Sequence, residues 1–280
     1  MVKLWDHVRL IPTVARLASR APRDPHTAWD RYWNGIRTTG PEGDVLWDSG
    51  SAAEHEQYAH LIRTHFDPAL PVIDVGCGNG THTRWLAGHF PRVVGVDVSP
   101  DAVERAASES RSVSNADFLV LDAAQPGAGK AMADTLGPAN VFVRGVFHVL
   151  KPDKQAAAAA NIRTMLGDKG HVFIAETNYP GNSLAYLSEL GATADHVPPQ
   201  LQRALENLPR PGRFGAPERQ RIFPQSQWQL IADGPVGIDV VGMGPGGLPQ
   251  QVPGYFAVMS GTHDVGSPGT GRRQGWPPAG

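Results

Sequence analysis

Cysteine is nearly absent from this chain: Cys77 stands alone among 280 residues, which excludes an intrachain disulfide and any cysteine-held metal cluster. Nothing in the sequence needs oxidation, so a reducing compartment and a cytoplasmic protein are the expectation. Long apolar runs are missing too; no stretch approaches the roughly 18 consecutive apolar residues of a membrane span. The segment Met1 to Arg20 is broken by charges where a secretory signal has a continuous apolar stretch. Basic excess is the third absence. With 25 Lys and Arg against 27 Asp and Glu, the formal charge of -2 leaves no footprint for a nucleic-acid backbone. These absences favour a small-molecule substrate, with no nucleic acid and no stable membrane insertion; a homodimer stays open.

Glycine and proline are abundant, at 32 and 25 residues, and crowd the two ends. Near the start, Leu4, Val8, Ile11, Ala15 and Ala18 recur at helical spacing, but Pro12 predicts a turn and then a helix instead of one rod. Residues 20–50 show weak periodicity and hold Trp29, Trp33 and Trp47; residues 51–66 read as a helix that Pro68 stops. From residue 71 short apolar strands alternate with helices. Strand signals lie at Val72–Val75, Arg92–Val96, Asp117–Leu121, Val141–Val149 and His171–Glu176. Helices are expected at 80–88, 100–110, 129–136 and 153–166. That alternation implies a parallel sheet covered on both faces.

Two helices are expected near 182–190 and 198–208, then a Pro/Gly/Arg-rich stretch, a helix near 224–232, and strands at Gly237–Gly242 and Gly254–Ser260. The expected organisation is a cap over 1–66, a main domain over 67–263 with a substrate-covering insertion at about 178–221, and a disordered tail over 264–280.

The chemistry concentrates at the ends of the first three strands. Val72-Ile73-Asp74-Val75 runs into Gly76-Cys77-Gly78-Asn79-Gly80, and a helix starts at Thr81. Glycines there let the chain turn sharply and let a ligand approach the main chain. The next strand, Val93 to Asp97, ends in an acid seventeen residues past Gly80, where a carboxylate in a doubly wound sheet reaches ribose hydroxyls. Ser99-Pro100 then caps and opens a helix, and Phe118 to Leu121 ends in Asp122-Ala123. Any one of these acids alone would more often be a cap or a solvated loop. Three strand ends facing one crevice make that bland alternative a poor account.

The strings V-I-D-V-G-C-G-N-G-T, V-V-G-V-D-V-S and F-L-V-L-D-A resemble the cofactor half of class I S-adenosylmethionine-dependent methyltransferases. The resemblance is good over about residues 70–178 and looser beyond. It implies a doubly wound, mostly parallel seven-stranded α/β sheet with an antiparallel edge strand, helices on both faces, a helical N-terminal cap and an inserted lid. It also implies S-adenosyl-L-methionine as cofactor, held by Asp74, Gly76, Cys77, Gly78, Gly80, Asp97, Val98, Asp122, Ala123 and Arg144. In that family the glycine loop approaches the methionine portion, the counterpart of Asp97 binds ribose, and that of Asp122 contacts the adenine amino group. Over a short stretch, Trp29-Asp30-Arg31-Tyr32-Trp33 with Trp47-Asp48 is similar to thiopurine S-methyltransferase-like enzymes, although tryptophans packing a cap explain it equally.

Two departures weaken substrate inference: Asn140 stands where an acid usually opens the fourth strand, and Leu150-Lys151-Pro152-Asp153 lacks the common glycine pair. Catalytic candidates are His148, Arg144 and Tyr179, with Glu176 and Asn178 near them; each has a structural alternative. His148 is a base, the orienter of an acid or a satisfied structural histidine, Arg144 an anion ligand or the partner of an acid, and Tyr179 a pocket wall or a packed turn. No metal is expected: His55, His60 and His65, five apart, fall on different helix faces. The expected reaction is methyl transfer to an O, S, N or C nucleophile of a small molecule. The alternative is a fold that binds the cofactor but guides a cyclisation or rearrangement. A nicotinamide enzyme, from another enzyme class, is a poor second, because Thr81 stands in place of the third glycine of its motif.

Overall fold

The computed structural model describes residues 4–243 and 250–262. At its centre a seven-stranded sheet runs in the order β3-β2-β1-β4-β5-β7-β6. The strands are β1 Val72–Val75, β2 Val93–Asp97, β3 Ala116–Val120, β4 Asn140–Arg144, β5 Val172–Thr177, β6 Trp228–Val240 and β7 Gln250–Gly261. The first five are mutually parallel; β7 runs antiparallel to both β5 and the edge strand β6. Chain order reverses between β1 and β4, which opens a crevice outside the carboxyl ends of those strands.

Side chains alternate across the sheet, as a two-residue period requires. On one face Val141, Val143, Val172 and Ile174 join a core with Met132, Ile162, Met165 and Trp228. On the other, Phe142 and Phe173 pack with Tyr58, Ile62, Phe66 and Leu86. Each such burial contributes roughly 1.5–3 kcal/mol before conformational entropy is set against it. The covering helices are α3 Ala52–His65, α4 Thr81–Ala87, α5 Pro100–Glu109, α6 Ala128–Leu136 and α7 Pro152–Leu166.

Above the crevice sit α1 Leu4–Ala18, α2 Pro25–Asn34, α8 Ser183–Glu189 and α9 Pro199–Asn207, with α10 Ala216–Ile222 leading back to the sheet. α1 is one helix despite Pro12, contrary to the expected break. Pro12 is exposed, so water can satisfy the carbonyl that loses its partner, while Leu10 and Leu17 anchor the helix in the core. Ile11, expected on the apolar face, is 47% exposed. α2 falls in the stretch of weak periodicity; it starts where the Asp24 carboxylate accepts the Thr27 N–H and Pro25 takes the first turn.

Two further expectations are corrected. The strand expected over Val141–Val149 stops at Arg144, because Gly145 takes φ +77° and a 3-10 turn follows at Phe147–Val149. The helix expected near 224–232 is instead the turn after α10 and the start of the long edge strand β6. The expected tail, and most of the Gly/Pro-rich loop before β7, lie outside the described residues.

Candidate functional site

Parallel register brings Val75, Asp97, Val120 and Arg144 to one end of the sheet: Val75 pairs with Val96 and Val143, Asp97 with Val120, and Arg144 with Ala175. The glycine loop leaves β1 there. Gly76, Gly78 and Gly80 have φ of +77°, +54° and +81°, a region that L side chains rarely adopt. Contact adds a second requirement. A Cβ on Gly76 would lie 2.4 Å from Val146, and one on Gly78 would lie 2.9 Å from the Trp33 ring.

Asp97 is 8% exposed, and its two oxygens accept the N–H groups of Gly78 and Ser99, each at 3.0 Å. Those bonds fix the carboxylate against the loop and leave acceptor capacity on both oxygens for a further donor. Burial pushes its pKa up, backbone N–H groups of Ser99, Gly78 and Val98 oppose that, and the charge of Asp30 adds to it. Asp74 lies below, fully buried; desolvation raises its pKa to about 7 against the 2.5 Å hydrogen bond from the Thr83 hydroxyl. Cys77 is buried in the loop, and its thiol is pushed up by burial. Asp122 is mostly buried, accepts the Ala124 N–H, and has His26 Nε2 at 3.3 Å from its other oxygen. The neighbouring Ala123 carbonyl accepts from Asn161, which fixes this turn, and Val98 follows Asp97 half-buried.

The cap contributes site residues that periodicity did not reveal. Trp33 lies on Gly78, Asp48 accepts from Asn79 Nδ2 at 2.8 Å, and Asp30 acts on Asp97. Trp29, Tyr32, Trp33 and Trp47 form one cluster of edge and stacked contacts between these residues. The signal was the doubled Trp-Asp pair, Trp29-Asp30 and Trp47-Asp48: each tryptophan packs the cap and each aspartate reaches the region of the glycine loop. Among the described residues Asp30 Oδ1 is buried without a hydrogen-bond partner. A left-handed glycine cradle, a fixed buried carboxylate and an unpartnered carboxylate oxygen near it suit a nucleoside with ribose hydroxyls to donate.

Across Val146 from Gly76 lies a second constellation. Glu176, at the end of β5, is fully buried, and its carboxylate accepts the N–H groups of Val146, Phe147 and His148. His148 Nδ1 lies 2.5 Å from its Oε2. A carboxylate only accepts, so Nδ1 carries the proton toward Glu176 and Nε2 of the neutral ring is left as an acceptor. His148 is thus an oriented ring, with Glu176 fixing its tautomer.

Arg144 is placed differently. Its Nε and Nη2 pair with both oxygens of Glu54, and its other bonds go to the carbonyls of Trp47 and Asp239. The Glu54 carboxylate also accepts from the Tyr58 hydroxyl and the Asp239 N–H. Burial alone would lower the Arg144 pKa; Glu54 and Tyr58 hold it above its usual value. Four of its five N–H groups are thereby occupied. Arg144 is thereby an acid's partner that ties β4 to α3, β6 and the cap. Tyr179 rests half-exposed on Tyr186 of α8, with ring centroids 5.1 Å apart, and is not joined to His148 by any hydrogen bond. His55 leans on Trp85 and meets His82 at 3.2 Å, away from His60 and His65.

Residues 72–170, about a third of the chain, match the family described as a methyltransferase domain. The structure superposes on an S-adenosylmethionine-dependent methyltransferase from Anabaena variabilis with a TM-score of 0.74 and 29% identity, over 86% of this chain and 97% of that one. Among curated relatives, the dTDP-3-amino-3,6-dideoxy-alpha-D-glucopyranose N,N-dimethyltransferase of Streptomyces fradiae is 34% identical over 23% of this chain and 30% of its own length. A probable thiol methyltransferase of Arabidopsis thaliana is 30% identical over 32% of this chain and 36% of its own. The matched part spans about a third of either relative. The glycine cradle and its strand-end carboxylates lie within residues 72–170, the part matched as a methyltransferase domain, and with nearly all of the Anabaena fold superposed the chain is similar to the class I S-adenosylmethionine-dependent methyltransferases.

Proposed function

We propose that this protein transfers a methyl group from S-adenosylmethionine to a small-molecule nucleophile, with His148 as the proton acceptor. The observation that carries the reading is the meeting of two constellations at Val146. On one side the glycine cradle and Asp97 are arranged for a nucleoside; on the other the His148–Glu176 pair is arranged to take a proton. When bound, the cofactor supplies an electrophilic methyl on a sulfonium that leaves with its electron pair.

The chain's own work is then alignment and proton removal. Asp97, fixed by the Gly78 and Ser99 N–H groups, orients the nucleoside, and Trp33 and Asp48 hold the loop in shape from the cap. Packing of the cap on the loop keeps water out of an in-line displacement. His148 Nε2 takes the proton of an acceptor hydroxyl or amine while Glu176 steadies the cation that forms. The relatives name an amino sugar and a thiol, so they leave the acceptor atom of this chain open.

Calorimetric titration with S-adenosylmethionine and S-adenosylhomocysteine tests the first half. Micromolar binding of both, weakened at least tenfold by Asp97→Ala, is the expected result. Absence of binding to either would overturn the reading. Mass-spectrometric detection of S-adenosylhomocysteine with an acceptor panel then tests turnover.

A further inference from the structure

The Pro/Gly/Arg-rich stretch between α9 and α10, Pro209-Arg210-Pro211-Gly212-Arg213-Phe214-Gly215, has no regular secondary structure, yet it is firmly placed. The Gly212 N–H donates to the His148 carbonyl at 2.6 Å, and the Phe214 N–H donates to the Thr177 carbonyl. Phe214 is fully buried against Phe147, the residue before His148, with ring centroids 5.9 Å apart. Two prolines around Arg210 stiffen the strap. It therefore crosses the chain at the His148–Glu176 pair, pinned on the residues that flank both members.

Arg210 and Arg213 stand on either side of Gly212. Exposed arginines commonly extend into water, but these two fold back on the protein. Arg210 donates through Nε and Nη2 to the Ser183 hydroxyl at 3.2 and 2.6 Å, and Arg213 donates through Nε to Asn178 Oδ1 at 2.7 Å. Both partners are neutral. Among the described residues no carboxylate lies within 4 Å of either guanidinium: Glu218 accepts the Gly215 N–H, and Glu189 interacts with Tyr179. Two full positive charges, positioned but not neutralised, thus stand on the strap whose backbone is bonded to the His148 and Thr177 carbonyls. Serine and asparagine orient the forks without consuming the charge, which leaves N–H groups for an anion.

Resting on the methyltransferase reading, we infer that the acceptor is an anion, and that Arg210 and Arg213 bind its carboxylate or phosphate group while His148 faces the atom to be methylated. They are specificity residues; the proton is moved by His148.

The test is a titration of the full-length protein, in the presence of S-adenosylhomocysteine, with benzoate, phenyl phosphate and the neutral benzamide. Calorimetry reads binding, and the His148 ring resonances, assigned with His148→Gln, report its place. The expected result is saturable binding of benzoate or phenyl phosphate that shifts the His148 ring, at least tenfold weaker in Arg210→Gln and Arg213→Gln, with benzamide inert. Stronger binding of benzoate assigns a carboxylate, and of phenyl phosphate a phosphoryl group. Equal binding of benzamide, unchanged affinity in both variants, or no anion binding at all would overturn the inference. The heat of S-adenosylhomocysteine binding, measured separately, reports on the methyltransferase reading, so the two can fail independently. Both arginines are exposed, and a normal melting temperature in the glutamine variants shows that the fold is intact.

Discussion

His148 comes from the 3-10 turn after β4 and Glu176 from the end of the adjacent β5, and three backbone N–H groups hold the glutamate before the histidine is added. That order of construction separates the two roles. His148→Gln removes the proton acceptor, and kcat with a hydroxyl or amine acceptor is expected to fall about 10²–10⁴-fold, with S-adenosylhomocysteine affinity unchanged. Equal kcat in the variant would show that no base is used. The glycine loop offers a second residue-level experiment. Gly78→Ala forces an L side chain to φ +54° and drives a Cβ to 2.9 Å from the Trp33 ring. Gly127→Ala imposes a similar φ, +84°, with nothing within 4 Å of the new atom. The strain shared by both is about 1–2 kcal/mol. Gly78→Ala should lose more stability than Gly127→Ala in urea unfolding, and it alone should weaken cofactor binding.

Elements are locked together by the pair Arg144–Glu54, which joins β4 to α3 and, through the Trp47 and Asp239 carbonyls, to the cap and β6. Glu54→Ala leaves a buried guanidinium without its counter-charge, at an expected cost of about 3–5 kcal/mol. The double variant Glu54→Leu with Arg144→Met should cost clearly less than the two single changes added together, as urea melts of all three will show. Neither side chain's partner was legible from spacing, because 90 residues separate them. The strand–helix alternation from residue 71 was legible, since β1, β2, β4 and β5 are buried on both faces and read as short apolar runs, and β3 keeps an apolar run although Leu119 and Val120 are exposed. β6 was not: as an edge strand it exposes Leu230 and Ile231, so one-sided burial blurs the alternation, and a Pro235 that only an edge tolerates adds to the confusion. The over-long β4 had the opposite cause. Val146, Phe147 and Val149 continue the apolar run past Gly145, and only the positive φ there separates strand from turn.

For the molecule as a whole, the interior around β1 and α4 gathers buried titratable groups whose linkage to pH runs in opposite directions. Asp74, with its pKa raised from 3.8 to about 7, keeps its proton in the native state over a range where the unfolded chain has released it. Stability therefore falls as pH rises between those values and levels off above about 7. Asp97, raised in the same direction, adds to the fall. His82 and His55, both lowered by burial, work against it: the unfolded chain takes up their protons below 6.5 while the native state does not, so their contribution is lost as pH falls. The net profile of the native protein mixes these terms, and a difference isolates one. Asp74→Asn keeps an acceptor for the Thr83 hydroxyl but cannot ionise. Its stability relative to the unaltered protein should rise steadily from pH 4 to pH 7 and then stay flat. The gain over that range is on the order of 4 kcal/mol. Urea unfolding at unit pH steps measures it. A difference that does not change with pH would mean that Asp74 titrates alike in the folded and unfolded chain, and that the floor of the cofactor loop is wetter than its burial indicates.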